Sequence, residues 1–585
     1  MNSEWSLDVL YKGYQDEAFI CDLKKFNELI QTIKGYVITL KEHTEEIAVS
    51  AIISYLEEYT VLASKLSSYL FLRQSTNTTD SETTALLGNV EELDSTLSKE
   101  IAMIKKYIAK AETLDQLIET NEKLKGYKFF LEEIKKDAKF ALSDEVEEVI
   151  AKLNLSAGSA WSMMQQYLTS TLEVDYNGEK TTLSAIRNLA YSSDPAVRKS
   201  AYEAELASYH KIKDAVAFSL NNLKSQVNTI VDLRGYKSAL SMTLIHSKMK
   251  QETLDAMFTA IKEYLPKFHA YLRRKAEILG HKNGLPWYEL FAPLGESGRT
   301  FTIADAKEYL VSHFRGFADD LADMIEEAFD KDWIDFYPHT GKVGGAFCDN
   351  LPYVKQSRIL TNFDGTLSDV VTLAHELGHA YHGLNIQEHL PLNWDYSMPV
   401  AETASTFNET VIMNAAIKDA KGQEQLAFVE SQLQDVTQII CDIYSRFLFE
   451  SAVFEKRKEA FLFSPVLEEM MLNAQKEAYG DGLDHSQLHP FMWICKSHYY
   501  RDSLNFYNFP YAFGGLFARG LYAQYQEEGS AFVPKYRALL NATTVSSVED
   551  VALMANIDLT NPDFWRQSLK TVSDSIDLFM ALTNG

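Results

Sequence analysis

The sequence predicts a mainly α-helical protein with one small β-sheet beside its functional site. Apolar residues recur at helical spacing through most of the 585 positions, one segment reads as a β-hairpin, and a β-prone patch precedes a histidine-bearing helix. Ile47, Ile52, Leu56, Val61, Leu62, Leu66 and Leu70 form an apolar stripe with charges opposite, the pattern of a long amphipathic helix. The polar run from Arg73 to Asp80 interrupts it, and the periodicity resumes from Leu86 to Ile108 and continues in further segments to about Leu168. Residues 171–183 place Asn177-Gly178 between two alternating runs, which predicts a hairpin on a type I′ turn. Ser193-Asp194-Pro195 offers a cap and a first-turn proline for a helix over 196–209. A boundary is therefore expected near 190, giving an N-terminal helical domain over 1–190 and a catalytic domain over 191–585. Gly344–Cys348 and Arg358–Phe363 predict the small sheet, and no repeat of 20–50 residues is present.

Composition narrows the function. The net charge of −26 repels phosphate backbones and anionic membrane surfaces, so neither nucleic acid nor membrane is an expected partner. With 46% apolar residues and only 13 Pro and 26 Gly, the chain can bury a large core. The N-terminal residues lack a basic segment followed by an apolar one, and no uninterrupted apolar run approaches the ~18 residues of a membrane span. Cys21, Cys348, Cys441 and Cys495 are far apart and form no CxxC, the usage of isolated thiols. A soluble, cytoplasmic protein is expected.

His375-Glu376-Leu377-Gly378-His379 carries the chemistry. On a helix, residues four apart share a face, so both imidazoles can reach one ion while Glu376 projects beside it. Neutral imidazoles suit Zn²⁺, which in hydrolytic sites takes three protein ligands and one water; Glu376 is then placed as general base. Thr366 and Asp369 predict a capping box opening this helix. Gly378 costs helix stability and leaves room for something close. A third ligand His at 385 is excluded, because Asn385 stands there and His382 replaces the glycine that such a pattern needs. The downstream carboxylates are Glu388, Asp395, Glu402 and Glu409. Glu402, opening a helix expected over 400–418, is favoured because a helix holds a ligand more rigidly than a loop. Glu409, two turns on, can hydrogen-bond a ligand histidine or stand solvated. Gly344, Gly345, Ala346 and Phe347 can present a strand edge to a peptide, or form a tight turn. His382 is expected to pack or assist, and a second metal at His485 and His489 is disfavoured by the helix start expected near Asp484.

HELGHAYH, PVAETASTFNE and FYNFPYAFG, with the upstream GKVGGAFCDN and RILTNFDGTLSDVV, resemble the oligoendopeptidase F branch of the thimet-oligopeptidase-like zinc peptidases. The resemblance spans about residues 190–580. It implies an elongated, two-lobed, zincin-like helical peptidase with a deep channel and a small sheet beside the zinc helix. It further implies one Zn²⁺ per chain on His375, His379 and Glu402, Glu376 as general base, and short peptides as substrates. Tyr507, Tyr511 and His498 are implied as transition-state helpers. Phe509 stands where a tyrosine is common, and His498 lies farther from FYNFPYAFG than in the common spacing. The expected activity is endopeptidase cleavage of oligopeptides; a zinc carboxypeptidase and a non-catalytic peptide binder with structural zinc are the alternatives.

Overall fold

The computed structural model describes residues 2–296 and 298–584. It is mostly helical, and its strands are few. β1 (Glu173–Tyr176) and β2 (Glu179–Thr182) pair antiparallel as the expected hairpin. Its corner residues Asn177 and Gly178 both have positive φ, 53° and 82°, as a type I′ turn requires. β3 (Ile334–Asp335), β4 (Phe347–Leu351) and β5 (Gln356–Leu360) form a second sheet in the order β3-β5-β4. β5 runs parallel to β3 and antiparallel to β4, with Cys348 opposite Ile359. Of the patch expected to be β-prone, Phe347 and Cys348 enter β4, while Gly344, Gly345 and Ala346 form the bend before it.

Two compact units emerge, and each is discontinuous in sequence. The first comprises 1–141, 299–412 and 527–556; the second comprises 142–298, 413–526 and 557–585. Position 190, the boundary expected along the chain, lies inside the second unit, just before helix Pro195–Tyr209. That helix begins as its sequence dictates, with Asp194 accepting from the Ala196 amide and Pro195 in the first turn.

The first unit is built on helices Glu17–Thr39 and Glu45–Thr76, whose Phe26, Ile30, Ile52, Ile53, Leu66 and Leu70 join one apolar cluster with β4 through Leu351. Glu45–Thr76 is the one described helix long and apolar enough to cross a membrane by length and composition. Glu57 and Glu58 interrupt any continuous apolar run along it, and its apolar residues instead enter the unit's own core. The segment expected as one helix over 86–108 is two, Ser81–Ser95 and Ser98–Lys110. Between them the Thr96 hydroxyl bonds back to the Leu93 carbonyl, a local bond that competes with helix continuation. In the second unit, Gln251–Ile278 packs along Pro562–Thr583, with Tyr271 edge-on to Phe579 at 5.0 Å between ring centroids.

Candidate metal centre

The motif lies in helix Leu367–Ile386 of the first unit. A turn at Gly365 (φ 88°) leads into it. The capping box is formed: the Thr366 hydroxyl accepts from the Asp369 amide, and Asp369 accepts from the Thr366 amide. The helix is thus fixed two turns before its first functional residue.

The residue close to Gly378 is the backbone of the neighbouring helix. A Cβ at 378 would lie 2.5 Å from the Ala404 carbonyl oxygen and from the Ser405 Cα. This approach brings Glu402 over the motif. Its Oε2 is 3.3 Å from His375 Nε2 and 3.3 Å from His379 Nε2, and ligand atoms of His375, Glu376 and His379 lie within 4.8 Å of one another. The sequence placed Glu402 within a helix over 400–418. It stands instead at a break, between the single turn Met398–Ala401 and helix Thr403–Asp419. Pro399 starts the first turn, and at Glu402 (φ −92°, ψ 9°) the backbone leaves helical geometry before the longer helix begins. The Ser405 hydroxyl, one turn on, donates to Glu402 Oε2 at 2.8 Å. Sequence reasoning missed Ser405; its signal was the spacing of three from Glu402.

Glu409 meets His375: its Oε1 is 2.8 Å from Nδ1. A carboxylate there holds the proton on Nδ1 and turns the Nε2 lone pair toward Glu402 and His379. Two asparagines missed by sequence reasoning fix the helix from outside. Asn350 of β4 donates to the His379 carbonyl at 3.2 Å, and Asn408 donates to the Ala374 carbonyl at 3.1 Å. Burial pushes the thiol of Cys348, also on β4, well up, and the Glu376 carboxylate adds to the rise. β4 is an edge strand, so among the described residues its outer edge has no strand partner. The bend before it is pinned by Asn362, whose amide donates to the Val343 and Gly345 carbonyls.

The electrostatics suit a cation. Burial works against charge on His375, yet Glu402 and Glu409 overcome it and raise the imidazole to about 10. Burial likewise opposes charge on Glu402, but His375 and His379 hold it well below the ordinary carboxylate range. Glu376, 6% exposed, is raised by burial, with His375 and His379 opposing and Glu402 and Glu409 adding to the rise. Three carboxylates against two imidazoles, with two ring nitrogens and one carboxylate oxygen converging, form a donor set that fits Zn²⁺. Removing the Glu409 carboxylate as Glu409→Gln is expected to weaken metal affinity by about 10–100-fold, measured by competition with a chromogenic chelator.

His382 packs rather than assists. It is fully buried, lies parallel to the Tyr396 ring at 4.3 Å, and bonds through Nε2 to the Thr543 hydroxyl at 2.8 Å. Burial pushes it down to about 3, so it stays neutral. His485 is exposed and bonded to the Gly480 carbonyl, while His489 is buried beside Glu205; among the described residues they form no metal-binding group. All four cysteines are free thiols.

The remaining predicted residues cluster in the second unit. His498 lies edge-on to Tyr507 at 4.8 Å and stacks with Tyr511 at 6.0 Å, and the two tyrosines are 5.4 Å apart. Phe509 is fully buried. Burial, then the Arg446, Arg501 and Lys496 charges, lower His498 to about 4, which leaves a neutral imidazole. The backbone before Tyr507 is held in an unusual conformation: Phe506 has φ 53°, costly for a bulky residue unless its surroundings enforce it. They do so through a buried ion pair. Glu450 accepts from the Phe506 amide and the Asn508 side chain and pairs with Lys224 at 2.8 Å, and Lys224 also donates to Asn505. Lys224→Met strips a buried carboxylate of its countercharge and is expected to destabilise the unit by about 3–5 kcal/mol, read as a lower unfolding midpoint.

Comparison with known proteins identifies the chain. Residues 188–571 match the family model of peptidase family M3, and residues 109–173 that of oligopeptidase F. The chain belongs to peptidase family M3. It is therefore a metallopeptidase, and its reaction is peptide hydrolysis. Oligopeptidase PepF of Bacillus subtilis is 25% identical over 98% of this chain and 86% of its own length. The plasmid oligoendopeptidase F of Lactococcus lactis subsp. cremoris is 24% identical over 96% of this chain and 94% of its own. A crystal structure from Chlamydophila abortus shares the fold with a TM-score of 0.86 at 19% identity, covering 99% of this chain and 98% of that one. That of oligoendopeptidase-F from Enterococcus faecium does so with a TM-score of 0.71 at 18% identity, covering 96% and 99%.

Proposed function

We propose that the protein is a zinc-dependent endopeptidase that cleaves internal bonds of short oligopeptides. The observation that carries the reading is the convergence of His375 Nε2, His379 Nε2 and Glu402 Oε2 beside a buried Glu376. The relatives named oligoendopeptidase F add the substrate class. His375, His379 and Glu402 would hold one Zn²⁺, which when bound supplies Lewis-acid polarisation of the scissile carbonyl and lowers the pKa of water to about 7.

The chain's own residues supply the proton transfers. Glu376 takes the proton of the attacking water and returns it to the leaving amine. A carboxylate raised by burial is better matched to that double duty than an exposed one. Glu409 and Ser405 keep the two ligand side chains aimed. The open edge of β4, entered from Gly344, Gly345, Ala346 and Phe347, is the proposed place for the substrate backbone, where strand addition reads main chain more than side chains. Tyr511, Tyr507 and His498 are proposed as donors to the tetrahedral oxyanion; their mutual packing and the family pattern support this. Tyr511→Phe is expected to lower kcat by about 10²-fold with metal content unchanged. Four free thiols suit the cytoplasm as the place of action.

The test is a quenched-fluorescent peptide blocked at both ends, with products read by mass spectrometry. Internal cleavage that stops on chelation and returns with zinc is the expected result. An intact blocked peptide beside trimming of the free-ended peptide would favour the carboxypeptidase instead.

A further inference from the structure

The second unit contains a cavity of about 340 Å³ that peptide hydrolysis leaves unexplained. Its walls are aromatic, from Tyr191, Trp287 and Phe291, and its polar lining is unevenly charged. Arg198 is already taken: it donates to Glu289 and to the Ser192 carbonyl. Glu205 is also committed, accepting from the Tyr209 hydroxyl at 2.8 Å with Arg187 Nε at 3.6 Å. Lys496 differs, because its ammonium has no hydrogen-bond or ion-pair acceptor among the described residues. His489, 1% exposed, lines the same space. Its Nδ1 has no partner, and its Nε2, although 3.3 Å from Glu205 Oε1, is out of hydrogen-bond alignment.

Burial, together with the Arg446 charge and against the Asp442 carboxylate, lowers the Lys496 ammonium from its usual range. The Gln438 side chain enters from a π-helical turn, Gln438–Asp442, an irregularity common at functional sites. The wall also carries the Asp435 carboxylate, so Arg187, Arg198 and Lys496 stand against Glu205 and Asp435 in a chain of net charge −26.

We infer that this cavity is a binding site for a compact oxyanion, a carboxylate or a phosphate, with Lys496 as its charge partner. Arg187 adds guanidinium donors. An anion there would give the unpartnered His489 Nδ1 a polar partner. The volume is that of a small ligand pocket, enough for one oxyanion and a short attached group. Two sources carry this chemistry: the terminal carboxylate of a peptide, which every hydrolytic turnover also generates, and free inorganic phosphate.

The test is calorimetric titration of the metal-loaded, full-length protein with inorganic phosphate, N-acetylalanine and N-acetylalaninamide. The anions are expected to bind and the amide not. Lys496→Met is expected to weaken anion binding by about 10–100-fold, the worth of one charge-assisted hydrogen bond, and Lys496→Arg to retain it. A circular dichroism spectrum and an unfolding midpoint matching those of the unmodified protein show that both variants are folded. Binding of phosphate alone assigns the free ion, and binding of N-acetylalanine, alone or with phosphate, assigns a site open to peptide termini. The inference is overturned if neither anion binds below about 10 mM, if the amide binds as well as the acid, or if Lys496→Met leaves the affinity unchanged, as carboxylate binding at the metal centre would.

Discussion

Glu376→Gln is expected to lower kcat by about 10²–10⁴-fold, the usual contribution of a positioned general base, while the protein keeps about one zinc per chain. The two outcomes separate because Glu376 lies beside the converging donors without being one of the three that meet. The amide is isosteric, so the packing around a side chain 6% exposed is preserved. It also removes one of three carboxylates facing two imidazoles, which takes away negative charge but leaves His375 Nε2, His379 Nε2 and Glu402 Oε2 in place. Metal content by atomic absorption and turnover on the blocked peptide give the two readings. Turnover at the wild-type rate would remove Glu376 from the mechanism; loss of metal along with activity would make it a ligand.

The second large effect is expected at Gly378. In an exposed helix, Gly→Ala gains up to about 1 kcal/mol. At 378 the new methyl meets the Ala404 carbonyl and the Ser405 backbone at 2.5 Å, and backbone cannot swing aside as a side-chain tip can. Overpacking of this kind costs about 1–3 kcal/mol, which outweighs the propensity gain. The cost also falls on function, because the displaced backbone carries Glu402 two residues earlier. Gly378→Ala is therefore expected to lower the unfolding midpoint and to shed metal on dialysis. Gly88, in helix Ser81–Ser95 with nothing within 4 Å of its Cβ position, is the control: Gly88→Ala is expected to raise stability slightly. The same substitution with opposite signs at two helical glycines isolates the close approach as the cause.

Much of the centre was legible because it is local. Spacings of four between His375 and His379 and of seven between Glu402 and Glu409 are helical arithmetic. The Thr366–Asp369 box and the Asn177-Gly178 corner are short-range chemistry that distant contacts did not override. Glu402 was favoured for a reason the structure revises: the residue lies in a break beside Ser405 and the close approach to Gly378, where one helix over 400–418 was expected. The interleaved units were illegible, since the bond from His382 to Thr543 spans 161 residues and no local pattern announces it. Lys496 drew no notice in the sequence because a lone lysine is ordinary; only the absence of an acceptor around it in the fold makes it informative.

The discontinuity of the first unit bears on how the protein is made. The helix with the metal-binding motif is complete once residue 386 has been synthesised, yet its packing partners include Thr543 and helix Val533–Ala542. Until the ribosome has passed residue 556, that unit lacks its last segment. At about 5–20 residues per second, the interval from residue 412 to 556 is on the order of 10 s. Throughout it the nascent chain carries the full motif without the scaffold that aims it. A peptidase ordered in this way does not become competent before residues 527–556 have emerged, so its topology defers proteolysis until that segment has been made.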